Sequence, residues 1–330
     1  MKHKILLVGL GSIGKRHLNN LAALGHKNIS VVTRSGKAVS GFEQYKFYIS
    51  IDEACSQQKI NTAIIATPTA NHIPDLLGVL NNNIQNIYIE KPISHNLNDI
   101  KEVEKKLVNS SANLVVGYDL HFDPGLLLIK EYIDTKKIGK LLSFIAEVGQ
   151  YLPDWRPNID YRKSMSAKKS LGGGVMLDLV HEFDYINWLI GPIKSISGKN
   201  NKISDLDIET EDVSINIIET VSGAMGMLHL DYLQFEMSRK FKVIGDKGVL
   251  IWDYNNSNVH YMSKKERVWH THDYSDYKRN DRFMDIMKSF LDSTKEIYDD
   301  RLVHFNDAIK SLELIDKSKK SSITNKVVIL

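Results

Sequence analysis

The sequence predicts an α/β chain in two parts. An N-terminal doubly wound parallel sheet is followed by a C-terminal α+β domain with a large, open, mostly antiparallel sheet. Three observations carry this. Short apolar runs alternate with helical stripes from residue 5 to about 118, the pattern of βα units. Runs rich in β-branched and aromatic residues, joined by tight turns, dominate from Val213 to Trp252 and call for antiparallel neighbours. The chain has 330 residues, room for two domains at roughly 150 residues each. The expected domains are 1–120 and 121–330.

Bulk properties narrow the function. Hydrophobic content of 42% and charged content of 25% are ordinary for a globular protein. A net charge of +3, dispersed along the chain, points to neither nucleic acid nor a membrane surface. Cys55 is the sole cysteine, cannot form an internal disulfide and fits a reducing cytoplasm. No apolar run approaches the ~18 residues of a membrane span. The apolar stretch after Met1-Lys2-His3-Lys4 ends in glycine and reads as a first strand, not a signal peptide. No metal site is expected.

Ile5 to Val8 is a buried strand that breaks into Gly9-Leu10-Gly11-Ser12-Ile13-Gly14 and then into a helix. This spacing is the Rossmann dinucleotide-binding turn. Gly9 permits the tight turn, Gly11 lets backbone approach a pyrophosphate, and Gly14 allows close helix–strand packing. Free N–H groups near Ser12 and Ile13 face the phosphates. Leu18, Leu21, Ala22 and Leu24 mark the following helix, and Ile29 to Thr33 the second strand. At its end, where the adenosine ribose is read, stand Thr33, Arg34 and Ser35 with no acid among them. A guanidinium flanked by hydroxyls suits a 2′-phosphate, so NADP(H) is expected over NAD(H); the other reading has Arg34 stacking on adenine without selecting.

A short helix at 52–58 precedes a third strand, Thr62 to Ala66. The loop Ala66-Thr67-Pro68-Thr69-Ala70-Asn71-His72 leaves its C-terminal end, where open α/β sheets bind ligands. Ala66, Thr67, Pro68, Asn71 and His72 are candidate cofactor contacts. A helix to Asn81 and a strand from Asn86 to Ile89 lead to Glu90-Lys91-Pro92. A charged pair before proline at a strand's end is hard to explain as packing, and Lys91 is expected to point toward the nicotinamide. A helix at 97–108 and a strand at 113–118 complete the half.

In the second half Asp123-Pro124 opens a helix to about Asp134, and Leu142 to Gly149 is a strand. Trp155, Tyr161 and Arg162 then lie in an irregular segment crowded with aromatics and carboxylates. Flat apolar faces with bidentate donors suit sugars, and a loop stapled by Trp155 is the plainer reading. Gly172-Gly173-Gly174 leads into an expected helix from Val175 to Ile190. On it Asp178, His181, Asp184 and Tyr185 fall at spacings of three and four and share one face. His181 is the natural proton carrier near neutral pH. Helices at 282–291 and 303–315 either return to the first domain or flank the sheet, and 326–330 is a last strand.

Five segments recur together in one family. GLGSIG at 9–14, ATPTANH at 66–72, EKP at 90–92, VGYDLHFDP at 116–124 and GGGVMLDLVHEFD at 172–184 resemble the Gfo/Idh/MocA oxidoreductases, relatives of glucose-fructose oxidoreductase and inositol dehydrogenase. The resemblance spans essentially the whole chain. It implies an NAD(P)-dependent enzyme acting on a secondary alcohol or ketone of a sugar, a sugar derivative such as a nucleotide sugar or surface-glycan precursor, or a cyclitol. Lys91 and His181 are then the catalytic pair with Asp178 beside them, and Glu90 and Lys91 border the cofactor. Lys91, Trp155, Tyr161, Arg162, Asp178 and His181 would meet the substrate. The resemblance also implies a homodimer or homotetramer formed through the open sheet. Asp119 and His121 depart from the family's usual GYNxRF, and Asp178 and His181 are one residue closer than its usual D-x-x-x-H. Those departures leave a catalytically silent dinucleotide-binding scaffold as the alternative.

Overall fold

The computed structural model describes residues 3–98 and 100–330. Two compact units emerge. The first runs to Asp119 and also takes in Arg279–Ile309; the second is Leu120–Lys278 with Lys310–Leu330. The continuous second domain expected from 121 to 330 is therefore interrupted.

The first unit winds as β1 (Ile5–Val8), α1 (Ser12–Ala23), β2 (Ile29–Val32), β3 (Lys46–Tyr48), α2 (Ile51–Gln57), β4 (Thr62–Ile65), α3 (His72–Asn81), β5 (Asn86–Ile89), α4 (Ile100–Val108) and β6 (Asn113–Val116). The strands pair in parallel in the order β6-β5-β4-β1-β2-β3. Strands β1, β2 and β4 are buried along their whole length, as a sheet covered on both faces requires.

In the second unit α5 (Pro124–Asp134) is capped by Asp123, whose carboxylate accepts from the Gly125 and Leu126 amides. There follow β7 (Leu141–Gly149), a run of short turns, α6 (Val175–Asp178), α7 (His181–Ile190), β8 (Ile193–Asn201), β9 (Val213–Thr220), β10 (Met225–Asp231), β11 (Ser238–Gly245), β12 (Gly248–Asp253), β13 (Asn258–Ser263) and β14 (Trp269–Asp273). The chain then supplies α8 (Arg279–Ser293) and β15 (Val303–His304) to the first unit, where β15 pairs antiparallel with β6. It ends with α9 (Phe305–Thr324) and β16 (Val328–Ile329). The second sheet has nine strands, ordered β14-β13-β12-β11-β7-β10-β9-β8-β16. Within it β7 and β10 are parallel and the other pairings antiparallel.

Five strands escape the sequence reading: β3, β8, β13, β14 and β15, the last lying where a helix from 303 was expected. β14, Trp269–Asp273, is exposed at every position and gives no burial signal, as suits an edge strand. β8 carries glycine, lysines and a register shift against β9 that blur its alternation. Among the described residues no helix is long and apolar enough to cross a membrane.

Candidate functional site

In the first unit, backbone hydrogen bonds line up the motif loops. Gly9 N–H donates to Val32 O, Ala66 to Val8, Glu90 to Ile65 and Gly117 to Ile89, all within 2.8–3.0 Å. Each donor sits just past the C-terminal end of its strand. The glycine turn, the 66–72 loop and Glu90-Lys91 thus lie side by side along one sheet edge, where parallel α/β sheets take ligands.

The glycine turn fits a pyrophosphate. Gly9 has φ +94°, and a Cβ there would lie 2.8 Å from the Ala66 carbonyl oxygen. A Cβ at Gly14 would lie 2.2 Å from the Gly9 carbonyl oxygen. At Gly11 a Cβ would meet nothing within 4 Å, so the turn faces open space there. No side chain caps α1, which leaves the first amides of the helix, near exposed Ser12 and half-buried Ile13, without an intrahelical partner. Thr33 to Gly36 closes as a turn, with Gly36 N–H donating to Thr33 O at 3.1 Å. Arg34 and Ser35 are exposed on it. Among the described residues no carboxylate pairs with the Arg34 guanidinium.

The 66–72 loop is held from within. Thr67 Oγ1 donates to Asp75 Oδ2 at 2.6 Å, Pro68 is exposed, and Asn71 N–H donates to Pro68 O. His72 is buried; its Nδ1 lies 2.7 Å from Pro92 O and its Nε2 2.9 Å from Thr67 O. Burial pulls its pKa down against the contrary pull of the two carbonyls. A neutral ring donates to one carbonyl, and the shorter contact marks Pro92 as the acceptor. Glu90 is also buried and accepts from His17 Nε2 at 2.6 Å, with Tyr88 alongside. Lys91, half-buried, follows Glu90 in the chain and is joined to Pro92 by a cis peptide.

The second unit corrects one expectation. Residues 175–190 do not form one helix. Leu179 takes ψ +34°, the helical bonding breaks, and α7 restarts at His181. Helix α6 packs on β9 and β10, α7 on β7, so the two pieces answer to different strands. Asp178 is therefore separated from His181, Asp184 and Tyr185, which stay at spacings of three and four on α7. Asp178 accepts from Tyr232 Oη at 2.6 Å. Asp184 accepts from His121 Nε2 at 2.8 Å. Tyr185 is fully buried against Phe241 and Trp252, and burial pushes its phenol well above the ordinary range. His181 is buried at the start of α7, beside Glu182, whose carboxylate is paired with Arg239.

The irregular segment divides as well. Trp155 donates Nε1–H to Gln150 O at 3.0 Å and meets Tyr232 edge-on at 5.3 Å. Trp155 and Tyr161 line a shallow recess with Arg156 and Ser166. Tyr232 thus joins Trp155 to Asp178. Arg162 lies apart: it is exposed and makes a bidentate pair with Asp160 at 2.8 and 3.0 Å.

Both departures from the family motif have structural partners. Buried Asp119 pairs with Arg282 of α8. His121, besides its bond to Asp184, stacks on Trp188 at 3.9 Å. Sequence reasoning missed His17, Glu211, Tyr232 and Arg282. The carboxylate of Glu211 covers the start of α6, lying 2.5 Å from where a Gly174 Cβ would be. Of the four, only His17 had a local signal, three residues beyond the last motif glycine.

Residues 3–118 match the profile of an oxidoreductase family with an NAD-binding Rossmann fold. The class is thus a nicotinamide-dinucleotide oxidoreductase. Residues 126–251 match the GFO/IDH/MocA C-terminal domain, and the chain belongs to the Gfo/Idh/MocA family. It is 25% identical over 330 residues to scyllo-inositol 2-dehydrogenase (NAD(+)) of Bacillus subtilis, covering 94% of this chain and 88% of that one. Identity to myo-inositol 2-dehydrogenase of Thermotoga maritima is 23% over 263 residues, 76% of this chain and 75% of that one. The fold matches levoglucosan dehydrogenase in complex with NADH and L-sorbose, at a TM-score of 0.86, 17% identity and coverage of 99% and 98%. It also matches the WlbA dehydrogenase from Bordetella pertussis in complex with NADH and UDP-GlcNAcA, at 0.84, 18% identity and coverage of 100% and 98%. The cofactors in these names are NAD(+) and NADH; a preference for NADP(H) finds no support in them.

Proposed function

We propose that this oxidoreductase transfers hydride between a nicotinamide dinucleotide and a secondary alcohol or ketone of a cyclitol, a sugar or a sugar derivative such as a nucleotide sugar or surface-glycan precursor. The observation that carries the reading is the row of motif loops along one edge of the parallel sheet. The names of the relatives, inositol dehydrogenases among them, support the substrate class. When bound, the nicotinamide supplies the hydride acceptor or donor. The backbone from Gly9 to Gly14 would hold the pyrophosphate, Thr33 to Ser35 the adenosine ribose, and Ala66, Thr67, Pro68, Asn71, His72, Glu90 and Lys91 the remainder.

Oxidation of a secondary alcohol also needs a base for the hydroxyl proton and a cation or donor for the forming alkoxide. His181 and Lys91 are assigned these roles. Asp178, steadied by Tyr232, would accept from a substrate hydroxyl, and Trp155 and Tyr161 offer flat faces with polar rims. Arg162 would have to leave Asp160 to take part. Arg34 supports the finer reading that NADP(H) is favoured over NAD(H). Exposed apolar side chains on the second sheet support a homodimer or homotetramer formed through it. The lone Cys55 and the dinucleotide support a cytoplasmic location.

One experiment tests enzyme, substrate class and cofactor together. Cyclitols, sugars and nucleotide sugars are screened by absorbance with NAD+ and NADP+ in parallel, for the parent and for Lys91→Ala. Turnover should fall by about 10²-fold or more in the variant, the scale of a lost acid–base or charge-stabilising group, while nucleotide binding stays measurable. Full turnover in Lys91→Ala ends the catalytic assignment, and equal use of both nucleotides ends the NADP(H) preference.

A further inference from the structure

The residues flanking Lys91 are each held by a buried histidine from a different helix. Before it, Glu90 accepts from His17 Nε2 at 2.6 Å. After it, the Pro92 carbonyl meets His72 Nδ1 at 2.7 Å. His17 is 0% exposed and His72 1%. The two histidines lie 55 positions apart and share no element (17 on α1, 72 on α3). Each helix leaves one of the loops assigned to the dinucleotide, α1 the glycine turn and α3 the 66–72 loop. His72 also reaches back to its own loop, through Thr67 O at 2.9 Å.

Stability alone does not call for this arrangement. The His17 ring packs against Tyr88 at 5.2 Å and Phe283 at 6.4 Å, a niche that a phenylalanine would fill. A buried carboxylate–imidazole pair must recover the desolvation of both groups, and apolar replacements of such pairs are often neutral or stabilising. What the pair does achieve is geometric. It ties the residue before Lys91 to the helix of one loop, as His72 ties the residue after it to the helix of the other. With both flanks fixed, the lysine side chain starts from a set point, and reacting groups need placement to a fraction of an ångström.

We propose that His17 and His72 are positioning residues that couple the seating of the two dinucleotide loops to the placement of the Lys91 ε-amino group. This rests on the reading of Lys91 as catalytic. Neither histidine needs to touch the substrate, and His17 lies outside the residues assigned to the dinucleotide, so its loss should alter the lysine and the turnover number while sparing nucleotide affinity.

The test compares the parent with His17→Phe, which keeps ring volume without the donor, and His17→Gln, which restores an N–H donor. The direct readout is the rate at which Lys91 is acetylated by an amine-selective reagent, measured by peptide mass spectrometry against exposed Lys101 and Lys105. In His17→Phe the Lys91 rate should change at least threefold while Lys101 and Lys105 hold, with Kd for NADH within twofold of the parent. His17→Gln should return the Lys91 rate toward the parent's. With myo-inositol and NAD+, any turnover should drop in kcat about tenfold at unchanged KM, the cost of about 1.4 kcal/mol in the barrier. If His17→Phe does not fold, the Lys91 acetylation rate in His72→Phe, read against Lys101 and Lys105, tests the other flank, and an unchanged rate there overturns the proposal. An unchanged Lys91 rate, or one that shifts together with the Kd for NADH, overturns the proposal. Full turnover in Lys91→Ala would instead end the catalytic reading and leave the labelling result standing, so the two failures are distinguishable.

Discussion

Gly11 and Gly14 sit three residues apart and answer to different constraints. A Cβ at Gly14 would press to 2.2 Å on the Gly9 carbonyl oxygen, whereas one at Gly11 meets nothing within 4 Å. Gly14→Ala should therefore destabilise the fold by about 1–3 kcal/mol, the usual cost of overpacking, seen as a lower denaturant midpoint. Gly11→Ala should melt with the parent yet bind NADH about tenfold more weakly, a loss of about 1.4 kcal/mol, because its methyl occupies the space a pyrophosphate needs. A parent-like Kd in Gly11→Ala would remove the pyrophosphate from that spot. His72 carries a pH dependence. Burial lowers its pKa below the ordinary 6.5. As pH falls through that value the unfolded chain takes up a proton that the folded ring refuses, so acid favours unfolding through this group. The parent should lose more melting temperature between pH 7.5 and 5.5 than His72→Gln does. Equal losses would show that the ring is charged when folded. His3 and His26 are also lowered by burial, so the difference between the two proteins is the quantity to read.

At the scale of elements, the break between α6 and α7 matters most for the site. A helical wheel places Asp178 and His181 together; the turn at Leu179 gives Asp178 to Tyr232 on the β10 side and leaves His181 to open α7. Nothing local announces the break, because Leu179 and Val180 are compatible with a continuous helix; packing on different strands decides it. The second sheet poses the complementary question. Its inner face is covered, with Phe144, Leu228, Ile218 and Phe241 buried. Its other face leaves Ile145, Met227 and Ile217 exposed by 38%, 37% and 56%, directly opposite one another across β7, β10 and β9. Under the proposed assembly this apolar row would be the contact face. A Met227→Glu, Ile217→Glu double variant should sediment as a smaller species than the parent. If the parent sediments as a monomer, or the double variant keeps the parent's size, assembly through this face is ruled out.

For the whole molecule, the return of Arg279–Ile309 to the first unit is what the linear domain plan omitted. Arg282 of α8 forms a buried pair with Asp119, and Asn280 donates to Asn20 on α1 at 3.0 Å. Replacing Arg282 with alanine leaves a buried carboxylate without its guanidinium and should cost about 3–5 kcal/mol, read as a lower urea midpoint with NADH binding weakened in step. A melting temperature within a degree of the parent's would show that α8 does not secure the first unit. The motif loops were legible because each is local: the glycine turn, the 66–72 loop and Glu90-Lys91 are short segments whose chemistry shows at its own position. His17, Arg282 and Tyr232 were not, because each acquires its meaning from a partner 54 to 163 residues away.

The sequence by itself determined the α/β class, the order of the βα units, the dinucleotide turn and the family, since apolar periodicity and glycine spacing act over a few residues. Only the tertiary structure decided the break before His181, the partners of Asp119 and His121, the pairing of Arg162 with Asp160 and the clamps on Glu90 and Pro92. These depend on which buried polar groups meet, and a buried donor or acceptor finds its partner wherever the fold brings one, at a separation no local pattern encodes.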